Sequence, residues 1–326
     1  LEGIAMKNVQ PYQVFRRDFD AMLQHGERQE RVDPANVGEE SLLRDMHAYF
    51  DNEILPLIVD HDWVFEAASR FASDYAMDCF HSLELTNKEV HDAQKRLRKL
   101  KKQVKEFVER ARRQGAVDSS GKPHLTKASG FIDLIDLDRL PSSMKREALA
   151  LHDKVEHNEI LHLRVALRGI REEYTTTLPR IMFVALRAMK VRLGQRPKSG
   201  DDTLRDISDY LTWYESNLAE DHPLYPVLGE LRAFYKVARN VESHHHALVW
   251  HSETNTVELS DDNDTVRMSV REFMQKFRHI VYLCELGLRG ILSAFCERER
   301  GPVAESLRKA YDKTFPDDFP QGEACQ

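Results

Sequence analysis

The sequence predicts an all-α fold: a helical bundle with one small β-ribbon set into it. Three observations carry this. Fourteen Gly and twelve Pro are few for 326 residues, long stretches are rich in the strong helix formers Leu, Ala, Glu, Lys and Arg, and apolar residues recur at helical spacing along most of the chain. Hydrophobic residues make up 41% and charged residues 31%, an ordinary balance for a chain that buries one large core or two modest ones. No run approaches eighteen uninterrupted apolar residues, and the first residues lack the basic-then-apolar layout of a signal peptide, so no membrane segment and a cytoplasmic setting are expected. Cys79, Cys284, Cys296 and Cys325 are scattered without C-x-x-C spacing. Cys284 and Cys296 lie in an apolar helix, where a buried free thiol is the expected state.

The elements divide into an N-terminal helical region over 1–140, a bundle over 141–300, and a short helix with a polar tail over 301–326. Helical patterning runs over 11–24 and 39–55, where Pro56 kinks or ends it, and again over 62–82, with Trp63, Phe65, Phe71, Tyr75 and Phe80 as its large residues. Thr86-Asn87-Lys88-Glu89 has the form of a capping box and predicts a new helix start. Behind it Val90, Ala93, Leu97, Leu100, Val104, Phe107 and Ala111 alternate at spacings of three and four, the seam of a coiled coil or helical hairpin. Gly115 ends this helix, and the stretch 118–130 has loop composition.

After the apolar piece 131–135, Pro141 opens a helix expected to reach Tyr174. Thr176 or Thr177 caps the next, with Pro179 in its first turn. Gln195 to Gly200 form a break, and Asp201 or Asp202 starts a helix bearing Leu204, Ile207, Leu211 and Tyr214. A helix over 225–245 carries a stripe of Leu228, Leu231, Tyr235 and Ala238. Three short alternating pieces, 247–250, 256–259 and 265–268, separated by polar turns, predict the β-ribbon. Ser269-Val270-Arg271-Glu272 is a second capping box and launches a very apolar helix through Phe273, Phe277, Val281, Leu288 and Leu292 to Phe295. From Gly301 a last short helix precedes the tail.

The formal charge of −7 conceals an asymmetry. Residues 86–114 hold eleven Lys/Arg against four Asp/Glu, a net of +7, which leaves −14 for the rest. Lys95, Arg96, Arg98, Lys99, Lys101, Lys102 and Lys105 occupy the faces of this helix that the apolar seam leaves open. There they either track nucleic-acid phosphates or remain a solvated face.

The densest chemistry is Arg239-Asn240-Val241-Glu242-Ser243-His244, which runs into His245 and His246. Arginine forks onto phosphate, and histidine exchanges a proton near neutral pH. An Arg, a polar residue, three positions and a His late in a helix resembles the HEPN superfamily of bacterial RNases, toxins and nucleotide-binding domains, over about residues 150–300. The resemblance implies a metal-independent and cofactor-free endoribonuclease acting on RNA, with a composite site at a homodimer cleft and an antitoxin or defence-complex partner. On that basis His244 moves the proton, Arg239 stabilises the charge on the phosphorane, and Asn240 orients the site. His246 stands where some members carry Tyr. On an ideal helix Arg239 and His244 lie about 140° apart and His246 about 20° from Arg239. Three other readings compete: a surface ion pair of Arg239 with Glu242 or another surface acid, the histidines merely ending the helix; a metal site of His244, His245, His246 and His251; and a non-catalytic helical module that binds nucleic acid or protein.

Overall fold

The computed structural model describes residues 48–74, 76–117, 128–196, 198, 201, 203, 205–222, 224–243, 247–299 and 301–314. The expected helix over 11–24 and most of the one over 39–55 lie outside them. The described chain is mostly helical. Its helices are α1 (Leu55–Asp60), α2 (Asp62–Asp74), α3 (Ala76–Arg113), α4 (Ala128–Asp133), α5 (Ser142–Glu172), α6 (Leu178–Arg192), α7 (Ile207–Asn217), α8 (Tyr225–Glu230), α9 (Lys236–Ser243), α10 (Val270–Arg298) and α11 (Pro302–Thr314). Between α9 and α10 lies a three-stranded antiparallel meander of β1 (Ala247–His251), β2 (Thr256–Ser260) and β3 (Thr265–Ser269).

Two prolines leave the chain helical where a break was expected. Short π-turns, Phe50–Ile54 and Glu173–Thr177, lead directly into α1 and α6, and Pro56 and Pro179 sit in the first turn of those helices. A proline ring collides with the carbonyl four residues earlier. Those carbonyls belong to Asn52 and Thr175, the middle residues of the two π-turns, and widening the turn there removes the collision without ending the helix. Thr177 accordingly makes no side-chain cap.

The chain divides by packing into two units. One takes the described residues up to Glu84, with Glu172–Ala233 and those from His279 onward; the other takes Leu85–Arg171 and Phe234–Arg278. Residues on both sides of position 140 therefore belong to the second unit.

In the first unit α6 is the central helix, buried on nearly every side by residues such as Ile181, Phe183, Val184, Leu186 and Met189. Gly287 of α10 lies so close to α6 that a Cβ there would stand 2.6 Å from Ile181 Cγ2. Arg187, 2% exposed, donates to the Trp63 carbonyl at 2.8 Å and lies over the Trp63 and Phe183 rings. Asp201 does not start a helix. It is buried, pairs with Lys190 and accepts from the Lys198 amide, and α7 begins six residues later at Ile207. Gly194, at φ +64, closes α6 with Gln195 N bonded to the Lys190 carbonyl and its own N to that of Val191, a left-handed cap that glycine adopts without strain.

In the second unit the expected seam of α3 is the core. Leu100, Val104, Phe107, Val108 and Ala111 pack with Phe131, Ile135 and Leu140 and with Ala148, Leu151 and Val155 of α5. Gly115, at φ +70, terminates α3 as expected. The start of α3 differs: Thr86 and Glu89 lie inside the helix, which begins ten residues before Thr86. Their side chains meet α5 instead of capping. Thr86 is 6% exposed, and a Cβ on Gly169 would fall 2.8 Å from its Cγ2 and 2.6 Å from Phe277 Cε2; Glu89 pairs with Arg168. Of the second capping box the Ser269 half is made, with Glu272 N donating to Ser269 Oγ at 3.1 Å. The meander forms with Leu248 opposite Leu259 and Trp250 opposite Val257, the register that puts its apolar residues on one face. Trp250 rests against the α3–α5 core.

Candidate functional site

The helix bearing Arg239 and Asn240 is held within its own unit by its buried apolar residues and by Tyr235. Leu228, Leu231, Tyr235 and Ala238 are buried as their spacing requires, and so are Val237 and Val241. The stripe is not one uninterrupted α-helix: a π-turn, Leu231–Tyr235, separates α8 from α9. Tyr174 donates to the Leu231 carbonyl at 3.3 Å, supplying a partner where the ladder widens. Tyr235 donates to the Lys276 carbonyl at 2.8 Å, and the Lys276 ammonium lies 5.5 Å from the Phe234 ring centroid, so the start of α9 is tied to α10. β2 packs along α9.

Arg239 and Asn240 emerge half-buried from this scaffold. Arg239 Nη1 donates to Asn240 Oδ1 at 2.8 Å, and Asn240 Nδ2 donates to Asp261 Oδ2 at 2.7 Å. Asp261 Oδ1 in turn accepts the amides of Asn263 and Asp264 in the β2–β3 turn. The hydrogen bond from Asn240 is the main cause holding the Asp261 carboxyl below the usual range. Among the described residues no carboxylate lies within ion-pair distance of Arg239, Glu242 included.

Asp261 was not singled out by sequence reasoning. The run Asp261-Asp262-Asn263-Asp264 announces a turn in which an Asp side chain caps backbone amides, but nothing local indicates that its second oxygen reaches back 21 residues to Asn240.

His244, His245 and His246 occupy the three positions between α9 and β1 and lie outside the described residues, so the angular relation of Arg239 to His244 and His246 concerns positions the structure does not describe. His251 lies on β1 with Nε2 3.3 Å from Glu258 Oε2.

The basic residues behave as a surface set. Lys95, Arg96, Arg98, Lys99, Lys102 and Lys105 are exposed along α3, while Lys101 is half-buried. Lys102 stands 4.0 Å from Glu106, and this exposed pair is worth little. Lys101 faces a polar belt that sequence reasoning also passed over. Where α5 is otherwise lined by Leu151, Val155, Leu163 and Ala166, one turn carries Asn158, 9% exposed, and Glu159, 5% exposed, with His162 on the same face. Burial raises the Glu159 carboxyl to about 7 against the opposing pull of Lys101. Burial and then Arg278 lower His162. The clue was a polar triplet at positions 158, 159 and 162 in an apolar period.

α10 is long and apolar enough by composition to cross a membrane, but 78% of its most apolar stretch is buried inside the protein. Comparison with known protein families, with curated proteins and with solved structures gives no match.

Proposed function

We propose that this protein is a metal-independent endoribonuclease of the HEPN type, acting in the cytoplasm as a homodimer, with a role in phage defence or beside an antitoxin. The observation that carries the reading is Arg239: a guanidinium gripped by an uncharged amide, with no carboxylate partner among the described residues, at the last turn before three histidines. A cation held in place and left unneutralised suits a developing phosphorane charge. A second feature of the same compact unit supports it, the exposed cationic row of α3, which suits a phosphate backbone.

In this mechanism His244 removes the ribose 2′-hydroxyl proton or protonates the leaving 5′-oxygen, Arg239 stabilises the pentacoordinate phosphate, and the products are a 2′,3′-cyclic phosphate and a 5′-hydroxyl. Asn240 keeps Arg239 in place, and His246 stands as an auxiliary group at the position where the resembled family varies. Cleavage of single-stranded RNA in EDTA tests it. Arg239→Ala and His244→Ala are each expected to lower the rate about a hundredfold or more. Wild-type protein that folds, binds RNA and leaves every RNA intact instead supports the non-catalytic module, which the exposed cations of α3 also suit; loss of cleavage in EDTA points to the histidine metal site.

A further inference from the structure

We infer that Asp261 is a positioning residue for Arg239, an inference that rests on the nuclease reading above. A primary amide has a donor end and an acceptor end, and turning it end for end changes its shape very little. An ionised carboxylate only accepts. Asp261 Oδ2 therefore selects the Nδ2 end of Asn240, at 2.7 Å, and this directs Oδ1 at Arg239 Nη1, at 2.8 Å. With the amide reversed, its NH2 would face the guanidinium, donor against donor, and Arg239 would lose its hold.

Asp261 is itself immobilised. Oδ1 accepts from Asn263 N at 2.9 Å and Asp264 N at 2.8 Å, and its own amide donates to the Asp264 carbonyl at 2.9 Å. The β2–β3 turn thus decides the direction in which the guanidinium is presented. Nη1 is committed to Asn240, and Nε and Nη2, which bond no described residue, form the edge of the fork that grips a phosphate with two parallel bonds. The β-ribbon acquires a purpose in this arrangement: it carries the acceptor that pre-sets the arginine, sparing the ordering cost at the moment of reaction.

Asp261→Asn separates the positioning role from the turn. Its single carbonyl oxygen still caps the turn amides, but the carboxylate that dictates the direction of Asn240 is gone. The full chain, Asp261→Asn, Arg239→Ala and the double variant are compared for cleavage of a single-stranded RNA oligonucleotide in EDTA, with thermal midpoints recorded for each. The expected result is a roughly tenfold fall in kcat for Asp261→Asn at near-constant KM and thermal midpoint, and no further fall when it is added to Arg239→Ala. Asp261→Asn cleaving like wild type while Arg239→Ala is slow overturns the positioning role and leaves the nuclease reading standing. A loss that adds in full to that of Arg239→Ala, or that follows a lowered thermal midpoint, overturns it as well. If Arg239→Ala cleaves at the wild-type rate, or the wild type cleaves nothing, both fall together. Should Asp261→Asn fail to fold, Asn240→Ala removes the same link from the other side and enters the cycle in its place.

Discussion

Glu173 is the most confined acid among the described residues. It is 0% exposed on the π-turn ahead of α6, and burial lifts its carboxyl to about 8, with Glu172 and Glu285 adding to the rise; neither of its carboxyl oxygens has a hydrogen-bond partner among the described residues. The folded state therefore keeps a proton that the unfolded chain releases near its ordinary 4.5. Below that value both states are protonated and the group costs nothing. As pH rises towards 8, the folded state loses stability by about 1.4 kcal/mol per pH unit relative to the unfolded one, levelling off once both are ionised. Glu173→Gln keeps the shape and removes the titration. Its stability is expected to exceed that of wild type by a margin that widens between about pH 5 and 8, read from urea unfolding at several pH values. A margin independent of pH would show that the carboxyl is not held protonated. Cys79, Cys284 and Cys296 share this kind of environment: all three are buried free thiols, and burial raises each, which suits packing and disfavours thiolate chemistry.

At the scale of elements, the fit of α5 against its neighbours turns on one missing side chain. Gly169→Val would drive its Cβ against Thr86 Cγ2 and Phe277 Cε2, and the expected loss is about 2–3 kcal/mol in chemical denaturation. Gly229, in α8, has nothing within 4 Å of where a Cβ would stand, so Gly229→Ala should stabilise by about 0.5–1 kcal/mol through helix propensity. Opposite signs at two helical glycines would be hard to obtain if the helices were packed otherwise. The exposed row of α3 makes a separate prediction. Replacing Lys99, Lys101, Lys102 and Lys105 with Gln should weaken RNA binding and flatten its dependence on log salt by roughly one unit for each phosphate that is no longer neutralised. Of these, Lys101 is half-buried beside Glu159, so its share should be the smallest. Binding that keeps its affinity and salt slope would make the row a solvated surface and nothing more.

For the whole molecule the proposal requires two copies. A single pair of Arg239 and His244 supplies one cation and one imidazole, and a two-fold axis beside them would bring a second set to the same cleft. Sedimentation at micromolar concentration is expected to give a dimer, and variants of Arg239 and His244 that are inactive alone should regain part of their activity when mixed. A strictly monomeric chain at that concentration would count against a composite site. Within one chain the packing already joins parts that lie far apart in sequence, because α3, α5, α9 and the meander contribute to one unit although more than a hundred residues separate the basic row from Arg239.

What the sequence determined by itself is what short-range chemistry decides. The α3 seam, the end of that helix at Gly115, the three strands with their apolar face and the Ser269 cap were all legible, because side-chain periodicity, a left-handed glycine and a hydroxyl on the third amide of a helix each need only a few neighbouring residues. The Arg239-Asn240 pair could be picked out for the same reason. Only the tertiary structure decided where a local rule yields to packing. A capping box contributes about 1 kcal/mol, but Thr86 has no helix start to cap, because the helix already runs from Ala76, and its side chain is buried against the bare backbone at Gly169 instead. Asp201 likewise leaves a helix start for the Lys190 ammonium, and the chain crosses Pro56 and Pro179 by widening a turn. The partner of Asn240 belongs to the same class: an Asp in a turn is common, and that one of its oxygens reaches a residue 21 positions earlier follows from folding the meander back onto α9, a fact of three-dimensional distance that no local pattern encodes.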